Sequence, residues 1–273
     1  MTVHPSMPYA EYAALPGLRS SHLRQLADSP LHYRRPKPRK TDAVELRLIH
    51  CLALEGEEAA ARQFLRCEGT RASKEAKTLA AANPDRDVAT AAEWTRARAC
   101  SAALHAHPRI GYMLAKARTE VTITWTRADG RACKARLDAV RFDHGEAWIG
   151  DLKGYGSTAP HHVARQAARL GAHLQAAHYI EALREGYGWP GPIRYSLAVY
   201  ETSEPYDCER FDFTDEALES AAVAREALIA RLAECEQTGE WPGRHTEAQQ
   251  LHPPRVWDDE DDDSEASFTV TED

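Results

Sequence analysis

Glu120, Asp138, Asp151 and Lys153 are the residues of this chain whose types and spacing carry chemistry. Asp151-Leu-Lys153 sets a carboxylate and an ammonium two residues apart, and Asp138 ends a separate strand-like run just before it. Carboxylate oxygens hold hard divalent cations. A cation held there polarises a phosphate and lowers the pKa of a bound water, and a neighbouring ammonium can place that water. The pattern points to metal-dependent phosphodiester hydrolysis. An acid-x-Lys triplet alone says little in a chain with 42 acidic residues. Glu75-Ala-Lys77 is another, in a polar, alanine-rich stretch without strand alternation. Asp151-Leu-Lys153 differs in its apolar setting and in the carboxylate that precedes it. The competing reading is a set of solvated charges at strand ends.

The elements that must position these groups are legible from periodicity. Glu120-Val-Thr-Ile-Thr-Trp125 alternates as a half-buried strand does. Asp129-Gly130 is a two-residue hairpin signal. Ala132 to Asp138 reads as the returning strand, continuing through Val140 and Phe142, with a turn at Asp143-His-Gly145. Ala147 to Lys153 reads as a third strand, on which Asp151 and Lys153 share a face with Ile149. Asp42 to Phe64 is expected as one helix and His161 to Tyr187 as another, with a Gly-Trp-Pro-Gly-Pro break from Gly188 to Pro192. Ile193 to Tyr200 and Glu209 to Phe213 read as strands. Thr214 is expected to cap a helix that runs to about Gln237 and stops at Gly239.

With 273 residues the chain can bury a substantial core, and one α/β domain of this size is the simple expectation. No run of about 18 apolar residues suggests a membrane span, and Met1 to Pro8 lacks the pattern of a secretory signal. A cytoplasmic protein with reduced thiols is expected. The six cysteines show no C-x-x-C pair. The formal charge of −8 is concentrated in residues 258–273, which hold nine acids and no base. The remainder has 34 basic against 33 acidic residues, compatible with binding DNA through local patches. The tail is expected to be disordered and either solvates the chain or mimics DNA. Arg34-Arg-Pro-Lys-Pro-Arg-Lys40 reads as a solvated linker or as an extended arm contacting phosphates.

The order Glu120, Asp138, Asp151-x-Lys153 resembles the PD-(D/E)XK nuclease core, and further segments resemble the exonuclease VIII (RecE-type) recombination exonucleases. These are Pro16 to Tyr33 as an opening helix, His50 with Ala53-Leu54-Glu55, Gln175 with Tyr179, and Glu240-Trp241-Pro242. The likeness spans residues 9–245. Two positions depart from it: Leu46 stands where the family has glycine, and Gly154 where it tends to have threonine.

The resemblance implies an α/β fold with a central mixed sheet flanked by helices. It divides residues 1–257 into a helical part (about 9–115) and a catalytic core (about 116–245), followed by the tail. It implies Mg²⁺, replaceable by Mn²⁺, held by Asp138, Asp151, the Leu152 carbonyl and His50. Lys153 would orient water or stabilise phosphate charge, Glu120 would bind metal directly or through water, and Gln175 and Tyr179 would face the site. No iron–sulfur cluster is expected, because the closely spaced cysteines of cluster-bearing relatives are missing. The implied activity is degradation of linear duplex DNA from 5′ ends, by a homo-oligomeric ring that exposes a 3′ strand for an annealing partner. Another endonuclease of this superfamily, or an inactive DNA-binding scaffold, are the alternatives.

Overall fold

The alternation along residues 118–154 produces three consecutive strands at the centre of a six-stranded sheet. The computed structural model describes residues 2–4, 7–37 and 44–245. The acidic tail and the end of the basic run (residues 38–40) lie outside the described residues. The N-terminal part contains β1 (Thr2–His4), α1 (Tyr9–Ala14), α2 (Ser20–Asp28), α3 (Pro30–Arg34), α4 (Val44–Leu54) and α5 (Glu57–Gln63). Then come β2 (Phe64–Cys67), α6 (Lys74–Ala82), β3 (Asp87–Thr90), α7 (Ala91–Ala106) and α8 (Pro108–Leu114). The core follows as β4 (Arg118–Thr126), β5 (Ala132–Asp143), β6 (Glu146–Gly154), α9 (Pro160–Leu170), α10 (Ala172–Glu181), β7 (Ile193–Tyr200), β8 (Cys208–Asp212) and α11 (Asp215–Thr238).

The sheet order is β1-β4-β5-β6-β7-β8. Only the β6–β7 pair is parallel, bridged by α9 and α10, so the sheet is mixed. One face packs on α2, α10 and α11 through Leu23, Leu26, Leu174, Ile229 and Leu232. The other packs on α4, α7 and α8 through Leu48, Ile49, Leu104, Ile110 and Met113. β5 changes sides along its length: Cys133, Ala135 and Leu137 lie in the first core and Ala139 in the second, with Asp138 at the switch. Among the described residues no helix is long and apolar enough to cross a membrane.

Several local expectations need correcting. The Asp129-Gly130 hairpin uses a three-residue loop, closed by Arg127 N–H on the Arg131 carbonyl (3.0 Å) and by Gly130 N–H on the Arg127 carbonyl (2.9 Å). The two-residue turn is instead at His144-Gly145, both with positive φ, between the paired residues Asp143 and Glu146. The helix expected over 42–64 ends at Leu54, where the N–H groups of Glu55 and Gly56 both turn back onto the Cys51 carbonyl. Phe64 then opens β2, which pairs in parallel with β3. The helix expected over 161–187 is split at Gly171, whose left-handed backbone (φ 70°) lets α10 turn against the sheet. Its end, Ala182–Gly186, is a π-helical turn. Between Phe64 and Glu120, Thr90 and Glu93 form a capping box that starts α7. Thr214 and Gly239 cap α11 as expected.

Candidate metal and active site

Strand register brings the acidic residues into one row. β4 and β5 pair Thr119 with Ala139 and Val121 with Leu137, so Glu120 lies opposite Asp138. β5 and β6 pair Ala139 with Gly150, and the next position along sets Asp138 beside Asp151. There the backbone ladder gives way to a side chain: Asp138 Oδ2 accepts the Leu152 N–H at 2.9 Å. That bond ties the two carboxylate-bearing strands together and orients Asp138.

Asp151 is completely buried. Its Oδ2 is 2.5 Å from Lys153 Nζ, and its Oδ1 accepts from Gln175 Nε2 at 2.8 Å. The same amide nitrogen donates to the Tyr179 hydroxyl at 2.9 Å. The i, i+4 spacing on α10 thus sets Gln175 and Tyr179 on one face, where Gln175 reaches Asp151. Burial, opposed by Lys153 and reinforced by Asp138, pushes the Asp151 carboxyl up to about 7. Burial works against the Lys153 charge, yet Asp151 and Asp138 hold its pKa above the ordinary lysine value. Burial also raises the Tyr179 phenol well above its usual range, so it serves as a neutral hydroxyl.

Glu120 occupies a left-handed backbone conformation (φ 53°) inside a strand, a costly state for any residue but glycine. Its carboxylate pairs with Arg136. Burial and the Asp138 charge push it up to about 7 against that attraction. His50 comes from α4 on the other side of the sheet. Its Nε2 lies 3.1 Å from the Leu152 carbonyl, and its Nδ1 is 3.9 Å from Asp138 Oδ2. As an Nε2–H donor to that carbonyl, the imidazole turns its Nδ1 lone pair toward Asp138.

The expected ligands are thus neighbours, but they do not form a finished cage. Among the described residues no three His, Cys, Asp or Glu side chains converge as a metal-holding group. The donor chemistry nevertheless fits a hard divalent ion: carboxylates of Asp138, Asp151 and Glu120, the Leu152 carbonyl and one imidazole. Three carboxylates face two cationic side chains, and two of the three are pushed up to about 7. A site with that excess of buried negative charge favours a cation.

Residues 20–252 match the family described as PDDEXK-like domain of unknown function (DUF3799). The chain belongs to this PDDEXK-like family. A crystal structure of a candidate exonuclease from Eubacterium rectale superposes with a TM-score of 0.58 at 15% identity, covering 92% of this chain and 95% of that one. That likeness concerns the fold. A second structure, SSO0001, matches at 14% identity with a TM-score of 0.29, covering 81% of this chain and 92% of the other, too distant to bear on the argument. No curated protein matches the sequence. Nucleases with the PD-(D/E)XK fold use divalent metals.

Within this PDDEXK-like chain the two departures noted in sequence prove to be spatial neighbours. A Cβ at Gly154 would lie 2.8 Å from Leu46 Cδ2, so the leucine of α4 occupies space beside the bare backbone of residue 154. α4 still approaches closely enough for His50 to reach Leu152. Sequence reasoning missed two groups. Arg136 precedes Asp138 by two residues and pairs with Glu120. Tyr195, buried on β7, puts its hydroxyl beside Asp151. Period-two spacing pointed to the first, whereas nothing local pointed to the second. All six cysteines are buried free thiols.

Proposed function

We propose that this PDDEXK-like protein is a Mg²⁺-dependent exodeoxyribonuclease acting on linear double-stranded DNA. The observation that carries the reading is the row Glu120, Asp138 and Asp151 beside Lys153, on three adjacent strands of a nuclease fold. The description of the Eubacterium rectale protein as a candidate exonuclease points the same way. Asp138, Asp151 and the Leu152 carbonyl would hold the ion, with Mn²⁺ as a substitute, and His50 and Glu120 would complete its surroundings. When bound there, a divalent ion would acidify a water and polarise the phosphate. Lys153 places the attacking water and offsets charge growing on the phosphate. Gln175 keeps Asp151 aimed, with the Tyr179 hydroxyl completing the chain of hydrogen bonds.

The resemblance to exonuclease VIII extends the proposal to 5′ to 3′ degradation, a homo-oligomeric ring, a cytoplasmic setting and handover of the 3′ strand to an annealing recombinase. The decisive experiment digests 5′-labelled linear duplex and closed circular DNA with Mg²⁺, with EDTA, and with Asp151→Ala. Loss of linear DNA alone, dependent on the metal and on Asp151, is expected. Cutting of the circle would replace the exonuclease with an endonuclease, and DNA binding without turnover would leave an inactive scaffold.

A further inference from the structure

Arg136 has no part in the reaction as described, yet it is held from three directions at the edge of the site. It lies on β5 opposite Thr122, one diagonal step from Glu120 and two residues before Asp138. Its Nε donates to Glu120 Oε2, its Nη1 donates to the Met7 carbonyl, and the Tyr9 ring centre is 6.0 Å from its guanidinium carbon. Its side chain is only 14% exposed. Lys134, two residues earlier, is 3% exposed, and its ammonium takes the Tyr12, Ala13 and Leu15 carbonyls at the end of α1. Alternate residues of β5 thus anchor the N-terminal segment against the strand that carries Asp138.

Glu120 needs such an anchor. Its backbone is in the left-handed region, and its carboxylate lies opposite the like-charged Asp138. Left alone, two carboxylates across adjacent strands repel and swing apart. A guanidinium resists this because its donors are rigidly spaced and always charged. A lysine would supply the charge without the second directed bond.

We propose that Arg136 is a positioning residue that holds the Glu120 carboxylate in line with Asp138 for the divalent ion, with the Met7 carbonyl and the Tyr9 ring locking the guanidinium from behind. The N-terminal segment is then part of the site's architecture rather than a decoration of the sheet edge. The inference rests on the proposed metal site and goes beyond it.

The test is calorimetric titration of Mn²⁺ into the full chain without DNA, for wild type, Arg136→Gln, Arg136→Lys, Glu120→Gln and the double variants. Melting curves and kcat and KM on linear duplex accompany it. Arg136→Gln is expected to weaken Mn²⁺ binding roughly tenfold or more, and to lower kcat with little change in KM. Arg136→Lys should recover part of the loss. In the Glu120→Gln background neither Arg136 change should cost more than about twofold, because the shared interaction is already gone. Should Arg136→Gln fail to fold, Arg136→Lys measured in both backgrounds decides the matter. Wild-type Mn²⁺ affinity in Arg136→Gln, or equal losses in both backgrounds, would reduce Arg136 to a structural pin and overturn the proposal. A wild type that binds Mn²⁺ yet leaves linear DNA intact would refute the nuclease reading while the calorimetry still judged Arg136. A wild type that binds no Mn²⁺ would overturn both.

Discussion

Two charge clusters in this protein hold the same number of ions but bury different ones. At the β4–β5 hairpin, Arg127 reaches Glu181 at 2.5 Å and Glu226 at 2.6 Å, and Arg225 pairs with the same two glutamates. Arg127 also lies 3.5 Å from Asp129, so two cations meet three anions, of which Glu226 and Asp129 are about half exposed, and the cluster staples α10 and α11 to the hairpin. Burial and the neighbouring Arg127 lower the Arg225 pKa only to about 10, so it stays charged at neutral pH. At the site, Glu120, Asp138 and Asp151 face Arg136 and Lys153, and two carboxyls are pushed up to about 7. Where the surplus anions reach water the pairs serve geometry, whereas three carboxylates held out of water make an electrostatic demand that a ligand can meet.

The contrast can be broken at the staple first. Glu181→Gln leaves Arg225 and Arg127 short of a buried partner and should destabilise the protein by about 3–5 kcal/mol. The cleavage rate per folded molecule should stay close to wild type. Urea unfolding and initial rates measured on the same preparation separate the two. A lost rate with retained stability would mean that the staple also shapes the site.

Lys153→Ala should show the reverse signature. Cleavage is expected to fall roughly 100- to 1000-fold, with a smaller change in melting temperature than Glu181→Gln causes. Steady-state rates on linear duplex give the first quantity, and retention of more than a tenth of wild-type activity would remove Lys153 from the chemistry.

The charge imbalance also predicts a pH dependence. The Glu120 carboxyl moves from an ordinary 4.5 to about 7 on folding. The folded state therefore binds its proton more tightly, and this group's contribution to stability is lost as pH rises from about 4.5 through about 7. Glu120→Gln has no such loss. Its stability relative to wild type should climb across that window, by at most about 3 kcal/mol, in urea titrations run in EDTA. A flat difference would show that Arg136 fully offsets the cost of burial.

The smallest effect concerns the packing beside Lys153. Gly154→Thr drives a side chain toward Leu46 and should cost about 1–2 kcal/mol. Combining it with Leu46→Ala should return most of that, as read from melting temperatures. Additive losses would mean that the two positions do not share space.

Much of the candidate site was legible because its geometry is local. Asp151 and Lys153 share a face through strand alternation, and Gln175 meets Tyr179 through one helical turn. The long helices were misjudged where the chain bends without losing helical composition. Gly171 sits between two amphipathic stretches, and Gly56 between two alanine- and leucine-rich ones. The hairpin misreading has a similar cause, since Asp-Gly serves both a two-residue turn and the end of a three-residue loop.

By itself the sequence determined the three central strands, the caps of α11 and the shared face of Asp151 and Lys153, because propensity, periodicity and turn chemistry act over a few residues. Tertiary structure alone decided that Glu120 lies opposite Asp138, that His50 reaches the Leu152 carbonyl 102 residues away, and that Arg136 ties Glu120 to Met7. Those relations depend on strand register and on which helix covers which face. Such choices are settled by burying two cores at once and by pairing charges that the chain carries far apart.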